Sequence, residues 1–301
     1  MEVPAQSRCA VIINRGSRRA EKTYEQVQSL LEARGFTIGL FRVAKKSREL
    51  EKAGREAAAG DYPIVILGGG DGTISALAKF FVNRHDVTVG VLPLGTGNAL
   101  ARDLDLPTDL AACCDIIAAG HSRVIDLGFA RGDYFVNVLT VGTTTLIAQS
   151  LSPTAKKFLG KLAYVGALVH AYRQVQPFHA ELEIDGVRHE FESLQIVIGN
   201  GRFHAGNAEI TPRASIEDAK LSFYALQSGD RAKLIELATR LAAGTHTEMP
   251  EVLSGEFLVG SLRTTPTRKV TIDGEITRGN PVDFRIEASA LRVFTPSPKK
   301  V

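Results

Sequence analysis

The run Ile64-Val65-Ile66-Leu67-Gly68-Gly69-Gly70-Asp71-Gly72-Thr73 carries an apolar strand into three glycines, an acid, a fourth glycine and a threonine, and helix-like sequence follows. Glycines at a strand-to-helix turn let main-chain N–H groups approach an anion without interference from Cβ. A carboxylate in such a phosphate nest would repel the phosphates unless a cation lay between them, so Asp71 points to handling of a Mg²⁺-nucleotide. About 25 residues later a second turn of this kind, Leu92-Pro93-Leu94-Gly95-Thr96-Gly97-Asn98, again joins an apolar strand to a helix.

Outward from these turns, the first 130 residues alternate short apolar runs with helical patterns. Strands are expected at 10–13, 37–43, 64–67 and 87–92, and helices at 21–34, 49–59, 74–83 and 109–119. That alternation predicts a parallel sheet covered on both faces, in which ligands bind beyond the carboxyl ends of the strands. After about residue 131 the pattern changes to short alternating runs at 134–139, 180–184, 193–198, 220–225, 256–262, 270–272, 282–286 and 291–294. Asp185-Gly186 and Asp273-Gly274 punctuate them, which predicts an antiparallel sandwich or barrel. Helices are expected at 154–174 and 230–243. The fold class is therefore an N-terminal α/β nucleotide-binding domain with a parallel sheet, 1–130, followed by a C-terminal antiparallel β-sandwich, 131–301.

Composition narrows the function classes. The chain has 301 residues, 44% of them hydrophobic, enough for two domains with real cores. A formal charge of +3 over this length argues against a nucleic-acid partner. Cys9, Cys113 and Cys114 have no metal-ligand spacing and read as reduced core thiols, which fits a cytoplasmic location. Residues 1–8 are mixed and polar, so no signal peptide is expected, and no segment approaches the ~20 apolar residues of a membrane span. Membrane contact would be peripheral, at the inner face. The dinucleotide fingerprint fails because Thr73 stands at its sixth position, and no G-x-x-x-x-G-K-[ST], H-E-x-x-H or G-x-S-x-G occurs.

The pair Gly69-Gly70-Asp71-Gly72-Thr73 and Pro93-Leu94-Gly95-Thr96-Gly97-Asn98-Ala99-Leu100-Ala101-Arg102 resembles the diacylglycerol kinase catalytic-domain family, more closely its bacterial lipid kinase branch, which is related to sphingosine kinases. The first pentad alone is shared with NAD kinases and phosphofructokinases. Further marks are Asn14, Ile125-Asp126-Leu127-Gly128, Phe135-Val136-Asn137, Gly199-Asn200, the 212–221 stretch and Asp273-Gly274-Glu275, so the resemblance covers roughly residues 10–294. It implies a nucleotide domain and a β-sandwich lipid domain. It also implies ATP and Mg²⁺ as cofactors and a lipid acceptor at the membrane surface, and a homodimer is compatible with it.

By the same resemblance, Gly69, Gly70, Asp71, Gly72 and Thr73 cradle the ATP phosphates, Gly95 and Thr96 face the nucleotide, and Asn98 braces its turn. Asn14 is either a nucleotide contact or a local turn former. Glu275 is the general base, and Asp71 and Asp126 organise the catalytic metal. An exposed acid beside a hairpin turn is the ordinary reading of Glu275, and only the surrounding pattern turns it toward catalysis. The 210–221 stretch matches an element in which a structural Mg²⁺ is held by one carboxylate, here Asp218, and by the carbonyls of Ser215 and Lys220. Ala219 replaces the usual glycine, so a left-handed backbone there would be strained. A plain acidic turn is the alternative. The 154–174 segment, with lysines near its start, suits either docking on an anionic bilayer or packing on the sandwich. Other departures from the family pattern are Arg15 for proline, Ala44 for threonine, Ala99-Leu100 for an acid and an aromatic, and Thr143 for an aromatic. Two competing readings stand beside the lipid kinase: a soluble-substrate kinase of the NAD kinase type, from the shared Gly69-Gly70-Asp71-Gly72, and a catalytically silent lipid- or nucleotide-binding protein, from the departures at Ala44, Ala99 and Ala219.

Overall fold

The computed structural model describes residues 7–15, 20–143, 174–204 and 208–297. The expected helix at 154–174 thus lies outside the described residues apart from Gln174. The chain divides into two units, Met1–Leu127 with Glu287–Val301, and Gly128–Ile286. Where the sequence suggests one boundary after residue 130, the chain passes between the units twice.

The first unit opens with β1 (Arg8–Asn14), α1 (Ala20–Glu32), β2 (Thr37–Ala44), α2 (Ser47–Ala59), β3 (Ile64–Gly69), α3 (Asp71–Ala78) and β4 (Thr88–Pro93). It continues with α4 (Ala99–Asp103), α5 (Leu110–Ala119) and most of β5 (Ser122–Ala130). The strands form a parallel sheet in the order β2-β1-β3-β4. Successive residues of β1 are buried on alternate faces, from Cys9 through Ile13, because helices cover both sides. One side packs Val11, Ile13 and Ile66 against Val27 and Leu31 of α1 and Cys113 and Ile117 of α5. On α2, Gly54 leaves room for the Phe80 ring, which a Cβ would meet at 2.4 Å. Local signals set several helix ends. Asp109 accepts the Ala112 N–H at 2.9 Å and Gly120 closes α5 at φ 76°. Glu49 accepts the N–H groups of Lys45 and Lys46 and starts α2.

The second unit takes in β6 (Asp133–Phe135), β7 (Val138–Gly142), β8 (Phe178–Ile184), β9 (Val187–Ser193) and β10 (Gln195–Gly199). After these come the two-residue strands β11 (Phe203–His204) and β12 (Ala208–Glu209), then β13 (Leu221–Leu226) and α6 (Arg231–Ala243). β14 (Val252–Phe257), β15 (Val259–Thr265), β16 (Lys269–Ile272), β17 (Glu275–Arg278) and β18 (Val282–Phe294) complete the elements. One sheet runs β14-β13-β10-β7-β16-β17; in the other, β18 pairs β15, which pairs β8, which pairs β9. These ladders are antiparallel. Leu139, Val141, Ile196, Ile198 and Phe223 from the first sheet meet Ala180, Leu182, Leu262 and Phe284 from the second in one core. Leu234 and Leu237 of α6 cover the other face, over Val197 and Tyr224. Both Asp-Gly pairs are hairpin turns with two positive φ angles, 46° and 82° at Asp185-Gly186 and 44° and 88° at Asp273-Gly274.

Two expectations need correction. The single strand expected at 256–262 is two strands in different sheets, because the Asp185 carboxylate accepts the N–H groups of Leu258 and Val259 and breaks the run between them. The strands expected at 282–286 and 291–294 are one, β18. Its far end returns to the first unit, where Val293 pairs in parallel with Val89 of β4.

Candidate active site

The two glycine turns come together at the carboxyl ends of β3 and β4. Gly70 stands in extended backbone just before α3, and its carbonyl accepts the N–H groups of Thr73 and Ile74 at 2.8 and 3.0 Å. The N–H groups of Asp71 and Gly72 precede the first of these bonds, an arrangement that suits an anion. Gly95 lies against Gly70 so closely that a Cβ on Gly95 would sit 2.4 Å from the Gly70 Cα. Only glycine permits that approach.

Asn98 braces the second turn, as expected. At φ 48° it is left-handed, its Oδ1 accepts the Gly95 N–H at 3.0 Å, and its Nδ2 donates to the carbonyls of Gly95 and Pro93. Asp71 joins the turns: its Oδ1 accepts the Leu100 N–H at 3.1 Å, and its Oδ2 faces Gly97, where a Cβ would stand 3.2 Å away. That Oδ2 accepts no hydrogen bond among the described residues. Thr96 is exposed at the turn's tip and Gly72 half-buried. Asn14 stands at the end of β1. Its Nδ2 donates to Thr73 Oγ1 at 2.7 Å, which ties the end of β1 to the first glycine turn. Beside it, the Arg15 N–H donates to the Ala44 carbonyl at 2.7 Å, a bond the usual proline could not make.

Asp126 is 3% exposed on β5, and its Oδ1 accepts the Ser289 N–H at 2.7 Å, anchoring the returning part of β18. Glu275 belongs to the second unit, exposed at the first position of β17 directly after the Asp273-Gly274 turn. What holds that turn is a residue to which the sequence assigns no role. The Asp273 carboxylate accepts the N–H groups of Val136, Asn137 and Val138 at 2.8, 3.1 and 2.7 Å. Asn200 completes the support, donating its N–H to the Asn137 carbonyl and its Nδ2 to the Val136 carbonyl. The marks at 135–137, 199–200 and 273–275 are thus one hydrogen-bonded assembly that fixes where Glu275 leaves the sheet.

In the third group, Asp218 Oδ1 accepts the Lys220 N–H at 3.0 Å and Ser215 Oγ accepts the Glu217 N–H at 3.2 Å. Ala219 has φ 58°, so the loop does adopt the left-handed backbone that a glycine would favour. The Lys220 Nζ pairs with Glu256 at 2.9 Å. No cluster of three or more His, Cys, Asp or Glu able to hold a metal occurs among the described residues. A single free carboxylate oxygen at Asp71 nevertheless fits Mg²⁺, which takes one or two protein carboxylates and fills its shell with phosphate and water.

Comparison with known proteins agrees with this assembly along nearly the whole chain. Residues 8–130 match the diacylglycerol kinase catalytic domain and residues 138–295 match the YegS C-terminal NAD kinase beta sandwich-like domain. A diacylglycerol kinase of Staphylococcus carnosus (strain TM300) is 26% identical over 286 residues, covering 95% of this chain and 93% of the relative. One from Staphylococcus saprophyticus is 26% identical over 283 residues, 94% and 92% of the two chains. The crystal structure of a diacylglycerol kinase from Bacillus anthracis str. Sterne superposes with a TM-score of 0.78 at 19% identity, covering 98% and 99% of the two chains. Yeast NADH kinase shares the fold more distantly, at a TM-score of 0.52 and 9% identity over 98% of this chain and 84% of that one. The chain therefore belongs to the diacylglycerol kinase catalytic-domain family and is a kinase.

Proposed function

We propose that the protein is a lipid kinase that transfers the γ-phosphate of ATP to a lipid hydroxyl, such as that of diacylglycerol or a sphingoid base, with Mg²⁺ as cofactor. The observation that carries this reading is the packing of Gly70 on Gly95 with the Asp71 carboxylate joined to both turns. Main-chain N–H groups at the start of α3 would bind the phosphates, and Thr96 would offer its hydroxyl to the nucleotide. When bound, Mg²⁺ supplies charge neutralisation at the phosphates; Asp71 Oδ2 would hold it, with Asp126 assisting. The Glu275 carboxylate takes the proton of the lipid hydroxyl as its oxygen bonds to the γ-phosphorus, and the bond from that phosphorus to the bridging oxygen breaks to release ADP. Proton acceptance by an exposed carboxylate requires the substrate itself to exclude water there. In the 215–220 loop, the retained left-handed turn at Ala219 supports a structural cation on Asp218 and the Ser215 and Lys220 carbonyls.

No helix among the described residues is long and apolar enough to cross a membrane. Contact with a lipid would be made from the surface, on the cytoplasmic side. The test is transfer of labelled phosphate from ATP to a panel of lipids. Purified protein should phosphorylate at least one of them, and Glu275→Ala should lower the rate by at least about 100-fold. Retained activity in that variant removes Glu275 from its role. Conversion of NAD to NADP would favour the soluble-substrate reading instead, and ATP binding without transfer to any acceptor would favour the silent binder.

A further inference from the structure

The assembly that carries Glu275 holds a side-chain amide without a donor. Asn137, in the bend between β6 and β7, is 7% exposed. Its main chain is fully used: the N–H donates to the Asp273 carboxylate at 3.1 Å, and the carbonyl accepts the Asn200 N–H at 2.9 Å. Its side-chain Oδ1, by contrast, is buried and has no hydrogen-bond partner. A buried acceptor left without a donor opposes folding, and folded chains keep few of them.

The surrounding turn does not supply that donor. The N–H groups of Val136, Asn137 and Val138 all go to Asp273, and a carboxylate that accepts three of them has no proton to give. Space lies open beside the turn, where a Cβ on Gly274 would meet nothing within 4 Å, and Glu275 next to it is exposed. The nearby Thr271 hydroxyl is also buried without a partner, but Thr271 opposes Ile276 while Glu275 opposes Ile272. Thr271 therefore stands on the other face of the sheet from the base.

We propose that Asn137 Oδ1 takes a hydrogen bond from a second donor on the acceptor lipid, so that the preferred acceptor carries a hydroxyl or N–H beside the hydroxyl that is phosphorylated. The reacting hydroxyl cannot fill this role, because its one proton passes to Glu275 as its oxygen bonds to the γ-phosphorus. A long-chain amino alcohol and a monoacylglycerol each bring the extra donor; a diacylglycerol brings none. A site whose buried polar group is left unpaired by an analogue discriminates strongly against that analogue. The inference rests on the lipid-kinase reading and narrows its acceptor class. A trapped water is the other way to satisfy Oδ1, and it would give no such discrimination.

The experiment measures kcat/KM of the full chain, with ATP and Mg²⁺, on detergent-dispersed diacylglycerol, monoacylglycerol and sphingosine. The wild type should favour monoacylglycerol or sphingosine over diacylglycerol by at least about tenfold. Asn137→Leu and Asn137→Ala should each reduce that preference to less than about threefold, chiefly by losing rate on the favoured lipid. Thermal unfolding of the leucine variant should stay level or rise, because a polar atom without a partner has been removed. An amide with a purely structural role would instead lower stability and slow all three lipids alike, which overturns the proposal. So does a wild type that uses diacylglycerol as well as the other two, or a pair of variants that keeps the wild-type preference. Transfer without the preference sinks this inference alone, whereas transfer to no lipid at all sinks the lipid-kinase reading and this inference with it.

Discussion

Ala219 stands where a family pattern has glycine, and its φ of 58° shows why the glycine is usual. A Cβ in the left-handed region crowds its own backbone by roughly 1–2 kcal/mol. Ala219→Gly is therefore expected to stabilise the protein by about 1 kcal/mol after the added flexibility of the unfolded chain is counted, raising its melting temperature by about 2–4 °C. A lower melting temperature would mean that the alanine methyl makes compensating contacts. The cysteines behave as the sequence suggests: burial pushes the thiols of Cys9 and Cys113 up to about 12, so they stay protonated and inert. Asn98 was legible as a brace because its partners lie within five residues. The Asn14–Thr73 bond was not, since 59 residues separate the two and neither carries a local mark of the other.

At the scale of elements, the β16–β17 hairpin depends on Asp273 more than on its own turn. Removing that carboxylate leaves three main-chain N–H groups without their acceptor, so Asp273→Ala should destabilise the protein by about 2–3 kcal/mol in urea unfolding. Phosphoryl transfer should fall with it, through displacement of Glu275. A destabilisation below about 0.5 kcal/mol would show that water replaces the carboxylate. From sequence, Asp273-Gly274 reads as a turn, but an acceptor role for N–H groups more than 130 positions away leaves no periodic trace. The glycine turns were legible for the opposite reason, because backbone that must approach an anion requires particular residues in a contiguous run. β18 was hidden by Glu287-Ala288-Ser289-Ala290, which breaks the apolar alternation, and Ser289 at φ 53° is bent at that point.

Around Tyr224 the second unit buries two imidazoles. The Tyr224 hydroxyl is 3.0 Å from His204 Nε2, and His246 Nε2 meets the Ile210 carbonyl at 2.9 Å. Burial, followed by the neighbouring His246, pushes His204 down to about 4, and burial lowers His246 as well. Both rings are thus neutral in the fold and bind fewer protons than in the unfolded chain. Their contribution is complete above about pH 6.5 and is lost as pH falls from there toward 4, by about 3 kcal/mol for His204. Melting temperature should drop across that window, and His204→Gln should flatten the decline. An identical pH profile in the variant would assign the acid sensitivity elsewhere.

For the whole molecule, the decisive feature is that the last strand belongs to both units. Val293 pairs with β4, Phe294 joins the core of α1 and α5, and the Ser289 N–H meets the buried Asp126. A chain ending at residue 286 should consequently lose cooperative unfolding of the first unit and expose the β4 edge, with aggregation visible in light scattering. Unchanged unfolding of that fragment would show the strand to be dispensable. The same feature sets a timetable. On the ribosome, the glycine turns and their helices emerge early, yet the segment that closes their sheet is translated only after the entire sandwich. The half that carries the glycine turns must wait, incomplete, for its own last strand, so whatever guards nascent chains has to shelter that open edge until synthesis reaches it.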